Sequence, residues 1–436
     1  MDVKLRQLID EHYRKNYGAK KFIPGQTPVA SHGKHIDADD MAAMIEAVLE
    51  GWWTEGRNAA EFERMLAEFA HAAGGIATTS GSSANLLAVA ALTSAQLGER
   101  RITAGNEVIT IAAGFPTTIN PIILYGLVPV FVDVELTTMN TTVERLAEAL
   151  SPKTKAVFMP HNLGVPFDAA LVMDFCRQHR LWLIEDCCDA LGSTYRGQPV
   201  GSFGDLATFS FYAGHQLTMG EGGAVVARTN ELAIIVRSLR DWGRDCWCRT
   251  GEDNACGKRL AYQFGAMPAG YDHKYIFTEI GYNLKITDIQ AAAGVSQLAK
   301  LPRFTARRRQ NFSRLNDGLQ PYERWLQRPV APPGTEPSWF GCYLTVKPGS
   351  PFTRAELIHY LESRRVTTRL ILAGNLTKQP YLQTYRVPHR ISGALTNTDT
   401  IMERSFWVGC YHGLGDAEMD YTISVFRDFF RRYRSP

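Results

Sequence analysis

Thr208-Phe-Ser-Phe-Tyr-Ala-Gly-His-Gln-Leu-Thr-Met-Gly-Glu-Gly-Gly223 runs from an apolar strand into a short loop and closes on a glycine-rich turn, with one imidazole, His215, between the two. Imidazole titrates near neutrality, so it can take up and release protons at the point where a strand hands over to a loop. Working outward, apolar runs recur at Glu107-Val-Ile-Thr-Ile111, Pro129-Val-Phe-Val-Asp133, Ala156-Val-Phe-Met159, Leu181-Trp-Leu-Ile-Glu-Asp186 and Ala207-Thr-Phe-Ser-Phe211, separated by segments of helical period. Apolar strands that alternate with helices predict an α/β fold, a mainly parallel sheet covered on both faces. Ligands gather beyond the carboxyl ends of the strands of such a sheet, and Asp186 and His215 both fall there.

The flanks read differently. Residues 1–35 form an arm, a polar amphipathic helix over Val3–Tyr17 followed by a Pro/Gly stretch, and helical spacing starts behind Asp37, a capping residue. A large unit spans 36–298 and carries a polar loop at 240–275. A smaller α+β unit, 299–436, begins after the helix around Ile286–Leu298, near Pro302 and Arg307-Arg-Arg309. The 436 residues suffice for two such units without metal or disulfide staples. With 45% hydrophobic and 21% charged residues the balance is that of a globular protein, and a net charge of +3 with scattered Lys and Arg argues against nucleic acid as the main partner. The short basic end, Arg431 to Arg434, reads as a solvated helix face. No apolar run reaches the roughly 18 residues of a membrane span, and the charged amino terminus lacks the apolar core of a signal peptide. The expected compartment is the cytoplasm, where the eight cysteines are free thiols, ligands or nucleophiles rather than disulfides.

Three motifs carry chemistry. Thr79-Ser-Gly-Ser-Ser-Ala-Asn-Leu-Leu87 is a small-residue turn opening a helix, whose free N–H groups and dipole suit a phosphate. Asp186 ends an apolar strand, where a carboxylate costs stability unless it has a partner. Cys188, Cys246, Cys248 and Cys256 follow the pattern Cys-X57-Cys-X-Cys-X7-Cys, and the last three lie in the polar stretch Arg244-Asp-Cys-Trp-Cys-Arg-Thr-Gly-Glu-Asp-Asn-Ala-Cys256. Converging thiolates there suit a soft metal; spacing alone leaves zinc and iron–sulfur equally open. Cys176, Cys187, Cys342 and Cys410 read as core or surface thiols.

In this order the motifs resemble the aspartate-aminotransferase-like fold (fold type I of the pyridoxal-phosphate enzymes), and within it the nucleotide-sugar aminotransferase and dehydratase family, from about Gly51 to Gly413. The resemblance implies that Gly81, Ser82 and Ser210 hold the cofactor phosphate, Phe115 in Ala112-Ala-Gly-Phe-Pro-Thr-Thr118 stacks on its ring, and Asp186 pairs with the ring nitrogen. Asn283 in Gly281-Tyr-Asn-Leu-Lys-Ile-Thr-Asp288 would reach the phosphate of a neighbouring subunit, implying a homodimer. His215 occupies the place of the family's cofactor lysine. Imidazole cannot hold pyridoxal phosphate covalently, so the implied cofactor is loosely bound pyridoxamine phosphate with His215 as base.

Histidine for lysine together with the cysteine spacing is similar to the CDP-6-deoxy-L-threo-D-glycero-4-hexulose 3-dehydrase type. Glu185-Asp-Cys-Cys-Asp-Ala-Leu-Gly-Ser-Thr194, Arg240-Asp-Trp-Gly-Arg-Asp245, Gly270-Tyr-Asp-His-Lys-Tyr275 and Ala373-Gly-Asn-Leu-Thr377 extend the match. That type implies a [2Fe-2S] cluster on Cys188, Cys246, Cys248 and Cys256, electrons from an NADH-dependent iron-sulfur flavoprotein reductase, and loss of the C3 hydroxyl from a nucleotide-linked 4-keto-6-deoxyhexose. One departure is Val165 in His161-Asn-Leu-Gly-Val-Pro-Phe-Asp168, where the family usually places Gln or Asn near the cofactor's phenolic oxygen; valine has no side-chain donor. A cluster-independent dehydratase or aminotransferase, and a non-catalytic sugar-sensing protein, are the competing readings.

Overall fold

The computed structural model describes residues 1–18, 21–248 and 250–433; Arg434, the last of the basic end, lies outside them. An eight-stranded sheet runs in the order Gly74–Thr78, Gly223–Ala227, Leu206–Ser210, Trp182–Asp186, Thr154–Pro160, Glu107–Ile111, Val128–Val132, Arg390–Ile391. Gly223–Ala227 is antiparallel to both of its neighbours, and the other pairings are parallel. The predicted strands therefore form within a residue or two of their expected limits. Gly74–Thr78 and Gly223–Ala227 open on glycine and are otherwise short and alanine-containing, and they enter through register with each other.

Successive residues of the central strands point into different cores, which is why these strands read as continuously apolar. Val157 and Leu183 face a cluster shared with Phe312, Leu344 and Phe406, whereas Phe158 and Ile184 face Leu87, Leu92 and Ile235. Each such side chain, fully buried, contributes about 1.5–3 kcal/mol. A second sheet, in the order Leu326–Gln327, Cys342–Val346, Ser405–Val408, Thr368–Leu370, is antiparallel throughout.

The amino-terminal helix forms over Val3–Tyr17, capped by Asp2, and Asp37 caps Ala38–Leu49. The segment between them is tied to the far end of the chain. Val29 pairs with Val366, the Ser31 N–H donates to Thr367 Oγ1 at 2.7 Å, and Gly409 lies so close to the Ala30 and Ser31 carbonyls that a Cβ would collide with them. Among the described residues no helix is long and apolar enough to cross a membrane.

Candidate active site

Beyond the carboxyl ends of Trp182–Asp186 and Leu206–Ser210 lies a cavity of about 360 Å³. Gly81, Ser82, Phe115, Asp186, Ser210 and His215 all line it, and Cys188 joins them. Its floor is Asp186. One carboxylate oxygen accepts from Asn85 Nδ2 at 3.0 Å and Thr118 Oγ1 at 2.7 Å, the other from the Cys188 N–H at 3.1 Å. Thr208 Oγ1 in turn donates to Asn85 Oδ1 at 2.6 Å, so two helices, Gly81–Leu92 and Pro116–Leu124, and the neighbouring strand Leu206–Ser210 fix the carboxylate. A buried acceptor aimed at a cavity suits a protonated ring nitrogen.

The other end is a cradle for an anion. Helix Gly81–Leu92 starts on the cavity wall, and Ser80 caps it by accepting the Ser83 N–H at 3.1 Å. First-turn N–H groups have no intrahelical acceptor, so those of Gly81 and Ser82 can serve a phosphate. A Cβ on Gly81 would stand 2.6 Å from Ser210 Cβ and 2.8 Å from Cys188 Sγ, so glycine is what allows the helix to begin this close to Ser210. Phe115, 48% exposed, presents its ring to the cavity. The residues present thus fit pyridoxamine phosphate at both its ring nitrogen and its phosphate.

His215 is held at three points. Its N–H donates to the Tyr212 carbonyl at 2.9 Å, its carbonyl accepts from Arg308 Nη2 at 2.8 Å, and its Nδ1 lies 2.7 Å from the Cys188 carbonyl. A carbonyl only accepts, so Nδ1 carries the proton and Nε2 keeps its lone pair. Burial pushes the imidazole down to about 4, which leaves it neutral at pH 7 with the Nε2 lone pair free. Arg308, fully buried, also donates to the Trp339 carbonyl at 3.0 Å and sets the wall beside Phe340, whose ring centroid lies 5.2 Å from that of His215.

Several lining residues escaped the sequence. Asp189 Oδ1 lies 3.7 Å from His215 Nδ1, and burial, reinforced by the Asp186 charge, pushes its carboxyl up to about 7. Its signal was its place three residues beyond the strand-end Asp186. His32, Arg369 and Trp407 arrive from segments remote in sequence. Val165 is turned into the core, and its carbonyl accepts from Asn140 Nδ2 at 2.8 Å, while Asn162 and Leu163 of the same segment line the cavity. Asn162 Nδ2 donates to the Ala113 and Met139 carbonyls at 2.8 and 2.7 Å. Asn283 is exposed and outside this cavity, its Oδ1 accepting from Lys285 Nζ at 2.9 Å.

Residues 34–427 match the DegT/DnrJ/EryC1/StrS aminotransferase family. The chain belongs to that family. Within it, the chain is 49% identical over 426 residues to the lipopolysaccharide biosynthesis protein RfbH of Salmonella typhimurium, covering 98% of this chain and 97% of that protein. It is also 49% identical over 417 residues to a dTDP-4-dehydro-2,6-dideoxy-D-glucose 3-dehydratase of Saccharopolyspora spinosa, covering 96% and 90%. Among solved structures, the Escherichia coli GDP-4-keto-6-deoxy-D-mannose-3-dehydratase with bound hydrated PLP superposes with a TM-score of 0.82 at 27% identity, over 91% of this chain and 98% of that one. This DegT/DnrJ/EryC1/StrS member accordingly has the fold-type I architecture expected of it.

The thiols of this family member divide into two places. Cys246, Cys248 and Cys256 share the loop and each sulfur meets a backbone N–H, from Cys248 at 3.5 Å, Ala255 at 3.3 Å and Lys258 at 3.4 Å respectively. Backbone N–H donors of this kind suit sulfurs that ligate a metal. Cys248 lines a second cavity with Trp52, Arg240 and Trp247. Cys188 instead stays on the wall of the first cavity, where burial and Asp186 push its thiol far up, so the structure does not gather it with the loop thiols. The leftover Cys176, Cys187, Cys342 and Cys410 are all buried core thiols. Cys187 lies near buried His161 and Glu185, but Glu185 is occupied by His161 Nε2 at 2.9 Å and by the N–H groups of Gly201, Phe203 and Gly204.

Proposed function

We propose that the protein is a pyridoxamine-phosphate-dependent 3-dehydrase that removes the C3 hydroxyl of a nucleotide-linked 4-keto-6-deoxyhexose. The observation that carries this reading is His215 in a cavity that no lysine lines among the described residues. Bound there, pyridoxamine phosphate supplies an amine for the sugar ketone and a ring that accepts electron density. Gly81, Ser82 and Ser210 hold its phosphate, Phe115 covers the ring, and Asp186 keeps the ring nitrogen protonated. His215 Nε2 takes the proton released during dehydration, a role for which its neutral state and fixed tautomer prepare it. The carboxyl group of Asp189, 3.7 Å from Nδ1, balances the imidazolium so formed. The names of the relatives, two of them sugar 3-dehydratases, support the same reaction class.

The same proposal includes a [2Fe-2S] centre on Cys246, Cys248 and Cys256 with Cys188 as fourth ligand, an NADH-dependent iron-sulfur flavoprotein reductase as partner, and a homodimer in which Asn283 reaches the neighbouring cavity. The three loop thiols and their N–H donors support the centre; Cys188 stands apart from them, and its membership is the part most open to direct test. Exposed Trp247, Phe277 and Ile280 around that loop support a protein contact there.

The test is incubation of purified protein and pyridoxamine phosphate with CDP-, dTDP- or UDP-4-keto-6-deoxyhexose, with and without a one-electron reductant, followed by mass spectrometry. A product lacking one oxygen, formed in quantity only with reductant, is expected. An amino sugar formed from a glutamate donor would make the protein an aminotransferase and overturn the proposal.

A further inference from the structure

One charge on the wall of the first cavity has no part in the chemistry above. Among the described residues Arg369 is the only lysine or arginine lining that cavity, and it is exposed. It stands on Thr368–Leu370, the edge strand of the second sheet, directly opposite Trp407 of Ser405–Val408. Residues paired across antiparallel strands project from the same face, so the register that puts Trp407 on the wall brings Arg369 there too. Ile371 and Leu372, next along the chain, line the same cavity.

The guanidinium has almost nothing to hold. Among the described residues its one hydrogen bond runs from Nη1 to the adjacent Thr368 carbonyl at 2.8 Å, and no carboxylate, Glu221 of the same wall included, pairs with it. Most of its five N–H donors are therefore open. Trp407 Nε1, on a side chain only 2% exposed, also meets no acceptor among the described residues. His32 completes the corner. It packs on Gly214, where a Cβ would stand 2.8 Å from its Cδ2, and its Nδ1 lies 3.0 Å from Ser31 Oγ. Burial and then the Arg369 charge hold this imidazole below its ordinary value, so it does not add a charge of its own at pH 7.

An unpaired guanidinium beside an orphaned indole N–H suits an oxyanion, and the planar fork of arginine suits the oxygens of a phosphate in particular. The cradle at Gly81, Ser82 and Ser210 is a separate anion site, built by the large unit, whereas Arg369 comes from the small unit and His32 from the arm. A nucleotide-linked sugar brings a second anion, the diphosphate on C1. In a six-membered sugar ring C1 lies across from C4, so a C4 ketone placed at the cofactor amine directs the diphosphate away from the cofactor.

We propose that Arg369 receives the diphosphate of the nucleotide-linked sugar through its N–H fork, with Trp407 and His32 shaping the seat. The inference rests on the sugar-dehydrase reading above and adds to it the residue that selects a nucleoside diphosphate over an uncharged sugar.

The experiment is calorimetric titration of full-length protein, loaded with pyridoxamine phosphate, with CDP, dTDP and UDP, for the wild type, Arg369→Ala and Arg369→Lys, at low and high salt. Arg369→Ala is expected to weaken the best-bound diphosphate roughly 10- to 100-fold, with pyridoxamine phosphate binding unchanged. The loss of affinity on adding salt should shrink in the same variant. Arg369→Lys, which keeps the charge and lacks the fork, should recover part of the affinity. Equal affinity and salt dependence in wild type and Arg369→Ala would overturn the inference. So would a parallel loss of pyridoxamine phosphate, which would make the arginine a prop for the whole cavity. Glutamate binding that disappears in Arg369→Ala while the diphosphate is unaffected would overturn it in favour of a carboxylate seat. Wild-type protein that binds none of the three diphosphates would sink the nucleotide-sugar reading itself, an outcome visible without either variant.

Discussion

The cofactor cavity and the cysteine loop are built by opposite means. The cavity is assembled from strand ends that the sheet register brings together, Asp186 opposite Thr208 and Pro160 opposite Asp186, and its groups are held by partners far away in sequence. The loop around Cys246–Cys256 contains no long helix or strand, and its thiols are held by near neighbours, such as Cys248 N–H on Cys246 Sγ and Lys258 N–H on Cys256 Sγ. One region is fixed by the core of the protein. The other depends on short-range bonds and on whatever its thiols bind, so damage in it should remain local.

The sharpest way to break that comparison is within the cavity. Replacing His215 with Asn removes the base while leaving Asp186 and the phosphate cradle intact, and dehydration should fall by about 10³-fold with pyridoxamine phosphate binding, followed by fluorescence titration, nearly unchanged. Loss of binding would show that the imidazole holds rather than reacts. Gly81→Ala addresses the cradle: overpacking against Ser210 and Cys188 should cost about 1–3 kcal/mol in stability or cofactor affinity, read by thermal melting with and without cofactor. In the loop, Cys248→Ser should bleach the visible spectrum and remove iron with little change in melting temperature. Cys188→Ser sharpens the contrast, since iron loss there would join the two regions and iron retention would keep them separate.

A smaller effect concerns pH. The imidazole of His215 sits near 4 in the folded protein against 6.5 when free, so between these values the unfolded chain binds more protons. The stability that neutral His215 confers is therefore complete above about 6.5 and is lost as pH falls toward 4. The acid limb of kcat/KM should accordingly lie near pH 4, and a limb near 6.5 would show that the base is solvated. The smallest effect is expected for Asn283→Ala. Loss of one hydrogen bond, about 0.5–1.5 kcal/mol, should weaken cofactor binding by at most roughly tenfold, and a melting temperature that depends on protein concentration would tie the residue to a second protomer.

Much of the cavity was legible because strand ends announce themselves. Asp186 closes an apolar run, His215 follows another, and the small-residue turn at Ser80–Ser83 opens a helix. Illegible were the groups whose position depends on tertiary register: His32 and Trp407 reach the cavity from opposite ends of the chain, and Gly74–Thr78 pairs with a strand about 150 residues later. Spacing placed the loop thiols in one segment and could not say which way Cys188 faces, because strand alternation ends at Asp186. Val165, read as a missing polar contact, is a core residue whose neighbour Asn162 faces the cavity.

The segment from Val29 to His32, packed on Val366, Thr367 and Gly409, has a consequence for biosynthesis. A ribosome delivers these residues long before their partners. Until the strand Ser405–Val408 has cleared the exit tunnel, the cavity lacks the wall formed by Trp407 and His32. Closure of the cavity is therefore a late event in synthesis, and a nascent chain stalled before that strand would carry His215 in a pocket still open on one side.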